Sequence, residues 1–203
     1  RKKCTIVNGS GVNMEKFPPA PLSDKPVFFM LSRLLKSKGV YEYIKAAELV
    51  KADYPDADFN LLGKFEYQMQ DAVPEELVRD YIDRGIINLF PETSDVRPYF
   101  ESCSVYVLPS YREGTPRTVL EAMAMGRPII TTDTNGCRET VLDGVNGYLV
   151  PVGDVKALAE SMKRFIENPD LIKTMGDESV QYCREKFEVN NVNDVMCTFL
   201  KIK

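Results

Sequence analysis

The chain has 203 residues, of which 44% are apolar and 28% charged, and its formal net charge is −4. That length corresponds to about one domain and buries roughly 70% of its unfolded surface, so a real core is available. The acidic balance speaks against nucleic acid as a partner. No apolar run approaches the ~18 residues that span a bilayer. The absence of histidine removes Ser-His-Asp and Cys-His nucleophiles and most zinc sites.

The opening, "RKKCTIVNGSGV", lacks an initiator Met and reads as the interior of a longer chain. Residues 1–25 read as one short strand, Cys4 to Val7, followed by an extended proline-rich lead-in. Apolar runs then alternate with helix-period segments. "VFFML" (Val27 to Leu31), "FNLLG" (Phe59 to Gly63), "INLF" (Ile87 to Phe90), "VYVLP" (Val105 to Pro109) and "PIITT" (Pro128 to Thr132) read as strands. They are continuously apolar, as strands covered on both faces must be. Between them the periodicity predicts helices over Gly39 to Tyr54, Pro74 to Arg84, Asp95 to Cys103, Pro116 to Met125 and Arg138 to Leu142. "NGYLV" (Asn146 to Val150) reads as a further strand, and Asp154 to Glu167, Asp170 to Lys186 and Val189 to Lys201 as closing helices. Such alternation predicts right-handed βαβ units and an α/β fold with a Rossmann-like, doubly wound parallel sheet and helices at its C-terminal end. The five cysteines (Cys4, Cys103, Cys137, Cys183, Cys197) are scattered and read as free thiols of a reducing cytosol, which makes a cytoplasmic location the expectation.

In a doubly wound sheet, ligands bind beyond the carboxyl ends of the strands, where strand order reverses. In the commonest order the first and fourth strands of this series, "VFFML" and "VYVLP", are neighbours across that point. Their exit loops, "SRLLKSKG" and "SYREGT", bring Arg33, Lys36, Lys38 and Glu113 together. Thr115 reads as the N-cap of the next helix and Pro116 as its first residue. The amides of Arg117, Thr118 and Val119, with the helix dipole, then form an anion site suited to a diphosphate. Glu113 in the loop and Glu121 inside the helix flank that cationic centre. Two acids there suit a sugar on one side and a ribose on the other. Each piece also has a plainer reading: "SRLLKSKG" as a solvated basic loop, and Glu121 as an i−4 partner of Arg117. Met123, Met125 and the other methionines read as core, and Glu139 as support for the short helix after Gly136. "DAD" (Asp56 to Asp58) lies at the amino edge of the sheet, away from this point.

The stretch "PSYREGTPRTVLEAMAMGRPII" resembles the signature of the group 1 (family 4) retaining glycosyltransferases, E-G-x-P-x-x-x-L-E-A-M-A-x-G-x-P. "GSGVNMEKF", "LSRLLKSKGV", "LFPETSDVRPYFESC" and "GCRETVLDGVNGYLVPVGD" resemble the family's other blocks in the same order, so that the resemblance covers nearly the whole chain. It implies the GT-B fold, whose C-terminal, donor-binding half this chain resembles in its capsule and exopolysaccharide form. By the same resemblance residues 1–25 are an interdomain lead-in, 26–188 the nucleotide-sugar domain, and 189–203 a helix crossing to an absent N-terminal acceptor domain. Part of the apolar face of that helix (Val192, Val195, Met196, Phe199, Leu200) is then expected to be uncovered.

Carried onto matching positions, the resemblance makes Arg33 and Lys38 contacts of the donor diphosphate, Glu113 of the donor sugar and Glu121 of the ribose hydroxyls. The residues from Gly114 through Thr115 and Thr118 to Val119 supply backbone amides. Phe90 stands where members place backbone contacts to the base. Glu113, Arg33 and Lys38 are then the catalytic group. The implied reaction transfers a sugar from a nucleotide-diphosphate sugar, UDP favoured, with retention, without metal or other cofactor. The acceptor is a saccharide or a lipid-linked saccharide, which would bring the whole enzyme to the inner membrane face. The chain departs from the pattern at "GKFEYQ", where many members have further glycines, and at Asn13, where Asp is common. Two other readings stay open: a UDP-sugar 2-epimerase on the same fold, disfavoured by the missing histidine, and a non-catalytic nucleotide-binding domain.

Overall fold

The computed structural model describes residue 4 and residues 6–22 and 25–201. Among them six strands form one sheet: β1 (Val27–Leu31), β2 (Asp58–Leu62), β3 (Asn88–Phe90), β4 (Val105–Leu108), β5 (Ile129–Thr132) and β6 (Gly147–Val150). Their order is β3-β2-β1-β4-β5-β6, and every neighbouring pair is parallel. The order reverses between β1 and β4, where Phe28 pairs with Val105 and Phe29 with Tyr106. This is the doubly wound α/β sheet that the apolar runs predict, and strand ends differ from expectation by one residue at most.

The intervening helices are α1 (Val40–Asp53), α2 (Glu75–Asp83), α3 (Arg97–Ser102), α4 (Arg117–Ala124) and α5 (Asn135–Arg138). Right-handed crossovers put α1 and α2 on one face of the sheet and α4 on the other. The closing helices cover both layers. α6 (Val155–Glu167) packs on α1, and α7 (Asp170–Lys186) on α4. α6 starts where Asp154 accepts a hydrogen bond from the Ala157 amide at 2.9 Å, a side-chain cap for an otherwise orphaned donor. The strands bury both faces, so the core is two apolar layers around one sheet. Phe28 stacks on Phe59 at 5.1 Å, and Phe29 meets Phe100 edge-on at 5.4 Å. Each ring taken fully out of water contributes about 1.5–3 kcal/mol. Met123 and Met125 lie in this core as expected, whereas Met69, also expected there, is exposed in a loop. Cys103, Cys137 and Cys183 are buried free thiols, and Cys4 and Cys197 are exposed ones.

Four expectations are corrected. Cys4, Ile6 and Val7 form no strand, and Thr5 lies outside the described residues; no described strand runs alongside to supply a ladder. The short helix expected over 138–142 forms earlier, as α5. Past Arg138 only a tight turn continues, Thr140 N donating to the Cys137 carbonyl at 2.9 Å, and side chains take up groups the helix would have used: Thr140 Oγ1 donates to the same carbonyl, Asn146 Oδ1 accepts from Leu142 N, and Asn146 Nδ2 donates to the Thr140 carbonyl. Glu139 therefore ends α5 and reaches instead to Lys186 of α7, at 3.0 Å. Lastly, α4 is capped by Pro116 in an extended conformation (φ −73°, ψ 113°), not by Thr115.

The final helix, α8 (Val189–Leu200), buries Val192 but leaves Val195, Phe199 and Leu200 at 44%, 44% and 60% exposure. Its apolar face is in part uncovered, as the periodicity together with the resemblance predicts.

Candidate functional site

At the reversal of strand order a cavity of about 240 Å³ opens beyond the carboxyl ends of β1 and β4. Leu31, Ser32, Arg33 and Lys38 line it from the β1 side, and Leu108, Glu113, Pro116, Arg117 and Thr118 from the β4 side. The two exit loops thus meet as the topology requires. Lys36 does not join them; its ammonium lies 5.9 Å from the centre of the Tyr41 ring.

Lys38 and Glu113, 75 residues apart in sequence, form an ion pair of 2.6 Å between Nζ and Oε1. Their side chains are only 24% and 14% exposed, so the pair is less screened than a surface one. Ser110 Oγ donates to the same oxygen at 2.8 Å.

The N-terminus of α4 closes the cavity. The amides of Arg117 and Thr118 donate to no protein acceptor among the described residues, whereas that of Val119 is taken by the Pro116 carbonyl at 3.1 Å. The anion site therefore has two open amides rather than the three expected, backed by the helix dipole. Gly114 leaves open space at its α-carbon, and Thr115 packs against Gly9. Glu121 does not line the cavity. It is buried behind Arg117, whose Nε donates to Oε1 at 3.0 Å. Burial raises the Glu121 carboxyl above the usual range, and the Arg117 charge and hydrogen bond only partly oppose that. Tyr106, fully buried beneath the cavity, donates to the Leu31 carbonyl at 3.2 Å, and burial pushes its hydroxyl well above the ordinary tyrosine range.

A second, larger recess of about 450 Å³ lies beyond β2 and β3, lined by Gly63, Lys64, Phe65, Tyr67, Leu89, Pro91 and Glu92. Its walls are largely apolar, with the Lys64–Glu92 pair at 3.2 Å on its edge. The two cavities adjoin where Gly63 touches Ser32; a side chain at Gly63 would run into the Ser32 carbonyl, 1.9 Å from its β-carbon. Phe90 turns away from the recess onto Tyr99, at 5.2 Å between ring centres, and its carbonyl accepts from the Gly63 amide. Period-two alternation puts its neighbours Leu89 and Pro91 in the wall instead. The "GKFEYQ" segment thus furnishes much of the recess that its departure from the pattern obscures.

The loop after β2 is laced to the basic loop after β1. Leu34 N donates to the Lys64 carbonyl at 3.1 Å, Lys36 N to the Asp71 carbonyl at 2.7 Å and Val73 N to the Leu34 carbonyl at 3.0 Å. Ser37 Oγ donates to Asp71 Oδ2 at 2.5 Å. That hydrogen bond, aided by backbone amides and the nearby Arg33 charge, holds the Asp71 carboxyl below its ordinary range.

A parallel doubly wound sheet with cations, open helix amides and a carboxylate at its switch point is an α/β domain with an anion-suited crevice where such sheets bind ligands. The model of the glycosyl transferases group 1 family matches residues 13–181, and the chain belongs to that family. Two relatives of this chain are a bacterial N,N'-diacetylbacillosaminyl-diphospho-undecaprenol alpha-1,3-N-acetylgalactosaminyltransferase from Campylobacter jejuni and the capsular polysaccharide biosynthesis glycosyltransferase CapM of Staphylococcus aureus. The first is 28% identical over 89% of this chain and 50% of its own length. CapM is 27% identical over 89% of this chain and 48% of its own. Among solved structures, Anabaena HepE in complex with UDP superposes with a TM-score of 0.84 at 23% identity, over 94% of this chain and 56% of that one. The sucrose-phosphate synthase of Thermosynechococcus elongatus does so at 0.80 and 25% identity, over 94% and 50%. The chain spans about half the length of the curated relatives it matches.

Proposed function

We propose that this chain is the donor-binding half of a glycosyltransferase of polysaccharide biosynthesis, and that its two cavities together hold a nucleotide-diphosphate sugar. One observation carries the reading. Arg33 and Lys38 face two open helix amides across the strand-order reversal, with an anchored carboxylate at one end and an apolar, aromatic-walled recess at the other. The cations and amides suit a diphosphate, the recess a base, and Glu113 the hydroxyls of a sugar. Glu121 reaches the ribose once Arg117 turns to the phosphates. A UDP-sugar is the favoured donor, in keeping with the uridine nucleotides named in the HepE complexes.

In the whole enzyme the departing diphosphate gathers negative charge, and Arg33, Lys38 and the Arg117 and Thr118 amides stabilise it by electrostatic preorganisation. These fixed charges serve a metal-independent transfer, with retention at the anomeric carbon. The acceptor, a saccharide or a lipid-linked saccharide of the kind in the Campylobacter relative's name, is held by a separate N-terminal domain. The chain by itself is therefore inactive as a transferase, because acceptor positioning is worth several kcal/mol of the barrier.

A thermal-shift panel of UDP, GDP, ADP and their sugars, run beside a transfer assay on the chain alone, tests this. Stabilisation by nucleoside diphosphates, UDP foremost, with no transfer above an Arg33→Ala control, is expected. No response to any nucleotide contradicts the donor-site reading, and measurable transfer contradicts the division of labour.

A further inference from the structure

We propose that Ser110 is a positioning residue of the donor site: it holds one oxygen of Glu113 so that the other is presented to a hydroxyl of the donor sugar. The proposal rests on the nucleotide-sugar reading above and adds to it a residue that does not touch the ligand.

An ionised carboxylate offers about four lone-pair sites over its two oxygens. In Glu113 both protein donors, Ser110 Oγ at 2.8 Å and Lys38 Nζ at 2.6 Å, fall on Oε1. Oε2 has no protein donor among the described residues, and it is not among the buried unpartnered atoms. The carboxylate is thus split into an anchored oxygen and an open one at the cavity wall. Lys38 alone does not secure this arrangement. Its ammonium is a flexible point charge that either oxygen attracts equally, and the terminal torsion of a glutamate is broad and two-fold. Ser110 Oγ is fully buried, and its one hydrogen has two acceptors in reach, Glu113 Oε1 at 2.8 Å and the Lys38 carbonyl at a marginal 3.5 Å, so the shorter bond to the carboxylate directs it.

The loop that carries both residues is itself mounted from β5 and α5. Thr132 Oγ1 donates to the Ser110 carbonyl. Gly136 lies flat against the next turn, where a β-carbon would stand 1.7 Å from the Gly114 carbonyl oxygen and 2.5 Å from that of Glu113. Ser110, Thr132 and Gly136 are buried, so the mount has little room to move.

The experiment is calorimetric titration of the chain and of Ser110→Ala with UDP, UDP-glucose, UDP-N-acetylglucosamine and UDP-N-acetylgalactosamine. The readout is the ratio of UDP-sugar to UDP affinity for the best-bound sugar, which a loss of general stability does not move. Ser110→Ala is expected to lower that ratio by about tenfold, the size of one hydrogen bond to a charged group. An unchanged ratio in a variant that still binds UDP overturns the positioning role and leaves the nucleotide reading intact. Loss of UDP in step with the sugar also overturns it, because Ser110 then supports the loop as a whole. Failure of the unmodified chain to bind UDP refutes the nucleotide reading, and the proposal with it.

Discussion

Glu121 combines 6% exposure with an arginine partner, and burial decides the balance by raising its carboxyl above the ordinary range. The folded chain therefore binds this proton more tightly than the unfolded chain does. The associated stability is fully present below the unfolded value and is lost as pH rises through the raised one. Ribose binding has the opposite sign, because hydroxyl donors need the carboxylate. The affinity advantage of the unmodified chain over Glu121→Gln for UDP should thus shrink on acidification, starting above the ordinary glutamate value of 4.5. The phosphate's own ionisation near pH ~6 is common to both proteins and cancels in the ratio. A ratio constant across that range speaks against Glu121 as a ribose ligand. At this scale the sequence exposes the acids and cations through one dense motif. It brings Lys38 and Glu113 to one point through the strand order but does not show that they pair directly, and Tyr106 reads only as a core aromatic. Arg127 was also illegible. Fully buried, it spends Nη2 on the carbonyls of Ala20, Pro21 and Glu101 and so clasps the lead-in, while its Nε and Nη1 find no partner among the described residues.

Among the elements, the loops after β1 and β2 act as one piece, because their backbone bonds and the Ser37–Asp71 contact tie the basic loop to the wall of the recess. Asp71 has two effects of opposite sign there. Its carboxylate accepts from Ser37, which holds the loop, and its charge opposes an incoming diphosphate near Arg33. Asp71→Asn keeps an acceptor and removes the charge, so it should bind UDP at least as tightly as the unmodified chain, with the advantage largest at low salt and a steeper loss of affinity as salt rises, because the net attraction left to screen is larger. Asp71→Ala loses the clasp as well and should bind about two- to tenfold more weakly than Asp71→Asn, the range of a neutral hydrogen bond. Titration at two ionic strengths measures both; equal affinities in the two variants contradict the clasp. The strands were legible because buried parallel strands are continuous apolar runs. The lacing was not, since it is built from backbone groups that every residue carries. The displaced α5 has a similar cause. Thr140 and Asn146 end it through side-chain bonds to backbone, and no periodicity signals those.

Over the whole molecule, reversal of strand order between β1 and β4 accounts for the site. It opens a crevice at the sheet's carboxyl edge and brings a basic loop, an acidic loop and a helix N-terminus to it from distant stretches of chain. The half-uncovered α8 and the match to about half of each relative are in keeping with the donor half proposed above. The central claim is that the two acids serve opposite ends of one nucleotide sugar. Calorimetric titration of the unmodified chain, Glu113→Ala and Glu121→Ala with UDP and a set of UDP-sugars tests it most directly, with circular dichroism to confirm that each variant is folded. Glu121→Ala should weaken UDP and UDP-sugar alike by about tenfold to a hundredfold, the effect of roughly 1.5–3 kcal/mol. Glu113→Ala should instead remove most of the extra affinity that the matching sugar confers, with a far smaller loss for UDP. Equal losses of UDP affinity in the two variants, or none in either, contradict the account and leave these acids as no more than tuners of the α4 N-terminus.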